Sequence, residues 1–106
     1  MVRSSIFAAC LIAAGFASPS AHAASFNCNL VTKPDEVLIC QQPELSSLDE
    51  QMAALYDVLR NNLVGRARQT LISDQVRWLQ GRFGCGYDYG CIRSAYLRRI
   101  AQLRSY

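Results

Sequence analysis

The chain has 106 residues, and its 11 basic side chains against 8 acidic ones leave a formal charge of only +3. That length bounds it to one small domain, near the size at which an apolar core alone is marginal. The single histidine, His22, lies in the leader described next, so the rest of the chain lacks the commonest general base and metal ligand.

Residues 1–23 read as a signal peptide. Arg3 supplies a short positive start, Ile6–Phe16 is an uncharged apolar run, and Ala21-His22-Ala23 is a small-residue cleavage box behind Pro19. The run is shorter than the roughly 20 residues needed to span a bilayer, and no later stretch is apolar enough to stop transfer. Cys10 sits inside the apolar run instead of after it, and Phe7 stands where a lipoprotein signal would carry a Leu-like residue. Cleavage after Ala23 is therefore expected, leaving Ala24–Tyr106 as an exported domain.

Four cysteines remain: Cys28, Cys40, Cys85 and Cys91. In a short exported chain they read as two disulfides. Neither near pair has the C-x-x-C spacing of a zinc site, so no metal or other cofactor is expected. Three pairings are open. The near pairs, Cys28–Cys40 and Cys85–Cys91, are favoured because each brackets a short turn-like segment. Loop entropy gives them about 3 and somewhat over 2 kcal/mol, and the long-range alternatives about 4 each, so energy does not decide between them.

The first helix is expected to be capped by Thr32, with Pro34 in its first turn and Asp35 three residues on, in a capping-box-like start. It runs to about Cys40, and the contiguous Val37, Leu38 and Ile39 predict burial. Pro43 opens a second helix, in which Leu45, Leu48, Met52, Leu55, Leu59 and Leu63 follow at three- and four-residue steps. Asn61 and Asn62 weaken its end and Gly65 is expected to stop it. A third helix spans about Arg66–Phe83, with Ala67, Leu71, Gln75, Trp78 and Arg82 on one side. The segment Gly84–Cys91 is a tight turn, and Asp88 can cap the fourth helix. That helix runs to about Leu103 with Ile92, Ala95, Tyr96, Ile100 and Leu103 inward. No period-two alternation persists. The expected fold is all-α: a small disulfide-stapled helical hairpin or bundle, with one short and three longer helices. Leu48, Tyr56, Gln75, Trp78 and Tyr96 are its expected structural positions.

Charge is segregated along the chain. From Ala24 to Leu59, Lys33 is the one base among Asp35, Glu36, Glu44, Asp49, Glu50 and Asp57; from Arg60 onward nine arginines face only Asp74 and Asp88. An acidic half can steer a cationic protein partner. Against that, Asp35, Glu36 and Glu44 fall in first helical turns, where acids meet the helix dipole, and Asp49 and Glu50 could be the wet side of a helix. The arginines Arg77, Arg82, Arg93, Arg98, Arg99 and Arg104 could touch anionic lipid or glycan, although arginines on exposed helical sides are ordinary. Export argues against nucleic acid as the working partner. Tyr87 and Tyr89 could be rigid aromatic anchors on a closed turn, but glycines and a cap residue explain most of that segment as a simple reversal. No nucleophile elbow or phosphate loop is present. Asp49 and Glu50, as helical neighbours, point apart. Catalysis is not expected.

The ordered elements Ser25-Phe26-x-Cys28, Glu36-x-x-Ile39-Cys40, Pro43-Glu44-Leu45-x-x-Leu48-Asp49 and Tyr56 are followed by Gln75-x-x-Trp78-Leu79-x-x-Arg82-x-x-Cys85. Cys91 and Tyr96-x-x-Arg99-Ile100-x-x-Leu103 complete the set. Together they resemble the LprI-type lysozyme-inhibitor family over nearly the whole mature chain. The Gly-Tyr-rich turn departs from the alanine- and acid-rich loop more usual there. The resemblance implies a small exported helical unit with local disulfides that binds a lysozyme-like muramidase. Blockage would be steric and non-covalent. The resemblance assigns no inhibitory residues. On charge, the expected contacts are Asp35, Glu36, Glu44, Asp49 and Glu50, with Tyr87 and Tyr89 as aromatic anchors. The alternative is an envelope-binding or stress-accessory module that uses the basic C-terminal helices on a membrane surface or the cell wall.

Overall fold

The computed structural model describes residues 24–106; the expected leader, its cleavage point and Cys10 lie outside them. A 3-10 turn over Cys28–Leu30 leads into four helices: α1, Pro34–Gln41; α2, Pro43–Asn62; α3, Gly65–Gly84; and α4, Tyr89–Arg104. The fold is all-α, with one short and three longer helices and no strand among the described residues. None of these helices is long and apolar enough to cross a membrane.

Both disulfides are the local ones, Cys28–Cys40 and Cys85–Cys91. The first fastens the 3-10 turn to the end of α1, and the second closes the turn between α3 and α4. Proline opens both α1 and α2, where its missing N–H is no loss and its fixed φ suits the helix. At the elbow between them, Ser46 Oγ donates to the Ile39 carbonyl at 2.7 Å, satisfying a buried acceptor at the end of α1.

Two helix boundaries differ from the sequence reading. Thr32 does not cap α1: Lys33 is the cap residue and makes no side-chain cap bond. Asp35 is unavailable for a capping box because its carboxylate is turned inward to Arg82. Gly65 does not stop α2, which ends at Asn62. It is instead the first residue of α3, at φ +59°, a conformation in which a side chain would be strained. The expected Asp88 cap forms, its Oδ1 accepting from the Cys91 amide at 3.0 Å.

The core draws on all four helices: Leu38 and Ile39 from α1, Leu45, Leu48 and Met52 from α2, Leu71 from α3, and Ile92, Tyr96, Ile100 and Leu103 from α4. The most extensive pairing is α2 against α4. The spacing of those apolar positions matches the helical period. Ala67, placed inward by the same reasoning, is exposed. Tyr56 and Trp78 are partly buried and packed on the core. Trp78 lies edge-on to Tyr96, with centroids 5.0 Å apart, and its Nε1 donates to the Ala95 carbonyl at 3.1 Å.

Candidate functional site

One guanidinium organises the interior. Arg82, on α3, is 5 % exposed. Its Nε donates to Asp35 Oδ2 of α1 at 2.8 Å and its Nη1 to Tyr96 Oη of α4 at 3.0 Å. Asp49 Oδ1 of α2 is 4.0 Å from the same Nη1, and Glu36 Oε2 is 3.6 Å from Nη2. A single side chain thus meets all four helices. Tyr96 passes the polarity on, its Oη donating to Asp49 Oδ1 at 2.8 Å. The second Asp49 oxygen accepts from the Ser25 amide at 2.6 Å, tying down the start of the described chain. The rings of Phe26, Trp78 and Tyr96 lie 5.7–6.0 Å from the guanidinium carbon, within cation–π range. Burial and the neighbouring Asp49 push the Tyr96 phenol well above its ordinary pKa. It therefore stays protonated and acts as a donor.

This placement corrects the expected contact surface. Asp35 and Asp49 are each 1 % exposed, so neither can meet a partner. Asp35, read as a first-turn acid, is drawn in by Arg82, 47 residues away in the chain, and Asp49, read as the wet side of a helix, is drawn in by Tyr96. Glu36 is half-buried, and Glu44 and Glu50 are exposed. Glu44 is already engaged: its carboxylate accepts from Tyr89 Oη and, at 2.8 Å, from Arg93 Nε. Those two donors hold its pKa below the ordinary carboxylate value, and the Glu44 carboxylate in turn raises those of Tyr89 and Arg93. Tyr87 Oη likewise donates to Gln41. Both tyrosines thus tie the α3–α4 turn back to α1 and α2, although Tyr87 remains 59 % exposed.

The exposed acids without an ion-pair partner among the described residues include Glu50 and Asp57. They lie seven positions apart on α2, with Ala53 between them on the same helical side. Asp57 and Glu36 both line an open groove of about 390 Å³, whose walls include Phe26, Tyr56 and Ala53. Asp57 was not among the acids expected to make contact. Its signal was its helical register with Glu50, which the run of charge along the chain conceals.

A second polar chain joins α2, α3 and α4. Gln75 Nε2 donates to Met52 Sδ at 3.3 Å, and its Oε1 accepts from Arg99 Nε at 3.0 Å. Arg99 is 3 % exposed, and burial pulls its pKa below the usual arginine value. Neither Arg82 nor Arg99 could be told from an ordinary surface arginine by composition. Their register with Trp78 and with Tyr96, on the inward helical sides, was the available signal.

Comparison with protein-family models, with curated proteins and with solved structures finds no match.

Proposed function

We propose that this chain is an exported, non-catalytic binding domain that inhibits a cationic lysozyme-like muramidase by covering its cleft. The observation carrying this reading is the acidic, aromatic-walled groove of Glu36 and Asp57 with Phe26 and Tyr56, extended along α2 by Glu50. In this concave site the exposed Asp57 carboxylate can take a basic side chain, Glu36 being half-buried and 3.6 Å from Arg82, and an acidic surround accelerates encounter with a basic protein. The local disulfides suit an oxidising compartment, and the leader-like pattern of residues 1–23 suits export. The buried network gives the surface a rigid base, so little ordering would be needed on binding.

The test is lysozyme-catalysed lysis of a cell-wall suspension with and without the oxidised Ala24–Tyr106 protein. Inhibition that saturates near one inhibitor per enzyme supports the reading. Full lytic activity of several lysozyme classes, beside protein shown to be folded, rejects it and moves the expected ligand to the basic side.

A further inference from the structure

Arg99 presents a buried cation with an incomplete set of partners. Its Nε is taken by Gln75 and its Nη1 by the neutral amide oxygen of Gln102, at 3.3 Å. Its Nη2 is buried with no hydrogen-bond partner. Among the described residues no carboxylate lies at ion-pair distance from this guanidinium. A buried charge left in this way is costly, and the contrast with Arg82, which has three acids around it, is internal to the same molecule. Arg99 also lines an open cleft of about 460 Å³ between α3 and the end of α4. Its walls include Arg77, Trp78 and Tyr106, with Gln102 beside Arg99. The one acidic side chain in the lining, Asp74, is bonded to Arg77 at 3.2 Å, so the side chains of the cleft carry two cations against one anion.

We propose that this cleft binds the carboxylate of a small ligand, one or two sugar or amino-acid residues in size. The carboxylate displaces Gln102 from Nη1, a movement that must also open the buried Nη2, and takes the Nη1–Nη2 edge of Arg99 as a two-pronged pair. That geometry is the one a guanidinium offers best. Arg77 adds charge at the rim. Trp78 and Tyr106 give the ligand's uncharged body an aromatic wall. Gln102, on the exposed side of α4, is a neutral stand-in that a charged oxygen outcompetes. Two sources share this chemistry, a sugar acid and a peptide C-terminus. The site is separate from the acidic groove and does not depend on the inhibitor reading.

Trp78 is the only tryptophan, so its indole N–H gives one unambiguous NMR signal at the cleft. The oxidised protein is titrated with N-acetylmuramic acid and with acetyl-alanyl-alanine. The neutral controls are N-acetylglucosamine and the dipeptide amide. A saturable shift with either acid, absent with its neutral control, supports the site, and the responding pair identifies the source. Silence with both acids, or equal shifts with the controls, overturns it. Arg99→Gln should weaken binding roughly 10- to 100-fold, the effect of losing charged hydrogen bonds. Because that variant removes a buried group and could unfold, two exposed variants carry the same test. Arg77→Gln should weaken binding roughly two- to fivefold, and Gln102→Ala should leave it as tight or tighter. Binding unmoved by Arg77→Gln, or weakened by Gln102→Ala, overturns the proposal.

Discussion

Arg82 Nε and Asp35 Oδ2 lie 2.8 Å apart, with side chains only 6 % and 1 % exposed, and they join α3 to α1 across 47 positions of the chain. Removing one member of a buried pair strands the other charge, at about 3–5 kcal/mol. Total stability for a domain of this size is about 5–15 kcal/mol. Arg82→Met should therefore lower the unfolding free energy by about 3–5 kcal/mol in chemical denaturation. Arg82→Lys should not restore it, because one ammonium cannot match a fork that serves Asp35 and Tyr96 at once. A double-mutant cycle with Asp35→Asn should show strong coupling, against almost none for the exposed Arg77–Asp74 pair. A loss under about 1 kcal/mol for Arg82→Met would place the pair in the exposed class.

The two disulfides should contribute unequally. Cys28–Cys40 spans 12 positions and Cys85–Cys91 spans 6, so chain entropy favours the first by roughly 0.5 kcal/mol. The first also holds the segment whose Ser25 amide bonds the buried Asp49. Replacing Cys28 and Cys40 by serine should lower the melting temperature more than replacing Cys85 and Cys91. It should also release the amides near Ser25 to fast hydrogen exchange. Reduction of both should lower stability by about 2–5 kcal/mol or more. An unchanged melting temperature in reductant would contradict this account.

How far this fold could be read from the sequence differs between its apolar and polar parts. Leu45, Leu48 and Met52, or Ile92, Tyr96 and Ile100, announce their burial by helical spacing, and the structure buries each of them. Asp35 and Asp49 obey no such pattern. Their burial depends on Arg82 and Tyr96, brought near only when four helices close, and pairwise partners across such distances leave no periodic trace. Several polar or hydrogen-bonding residues of α2, α3 and α4 make the same point. Asp49, Gln75, Arg82, Tyr96 and Arg99 are all buried. They therefore describe how the helices are joined, whereas a partner-binding surface must be built from the exposed residues around them. Charge alone thus counted two structural acids as surface and passed over Asp57.

Acid titration should single out Glu44. The hydrogen bond from Tyr89, then that from Arg93, holds its folded pKa below the ordinary 4.5. A depressed carboxylate contributes stability that is complete above the unfolded value and is lost as pH falls through the folded one. The contribution is screened at this exposed position. Tyr89→Phe should move the Glu44 carboxyl midpoint upward in a carbon-detected NMR titration. The loosening of the α3–α4 turn should then begin at higher pH. A midpoint at the ordinary value in the unmodified protein would remove Glu44 as the anchor of that turn.

Charge reversal separates the exposed acids of α2 from the structural ones. Asp49→Lys would put a cation beside Arg82 in the interior and should unfold the domain, so lost inhibition in that variant would say nothing about docking. Glu50 and Asp57 are exposed on α2 and have no ion-pair partner among the described residues. Glu50→Lys with Asp57→Lys should therefore change the unfolding free energy by no more than about 0.5 kcal/mol per site. If a cationic muramidase is the partner, the same double variant should slow association at low salt and flatten its salt dependence, because steering acts mainly on the on-rate. Stopped-flow association at two ionic strengths measures both quantities. An on-rate unchanged at low salt, in protein that melts like the parent, would exclude this side of α2 as the docking surface.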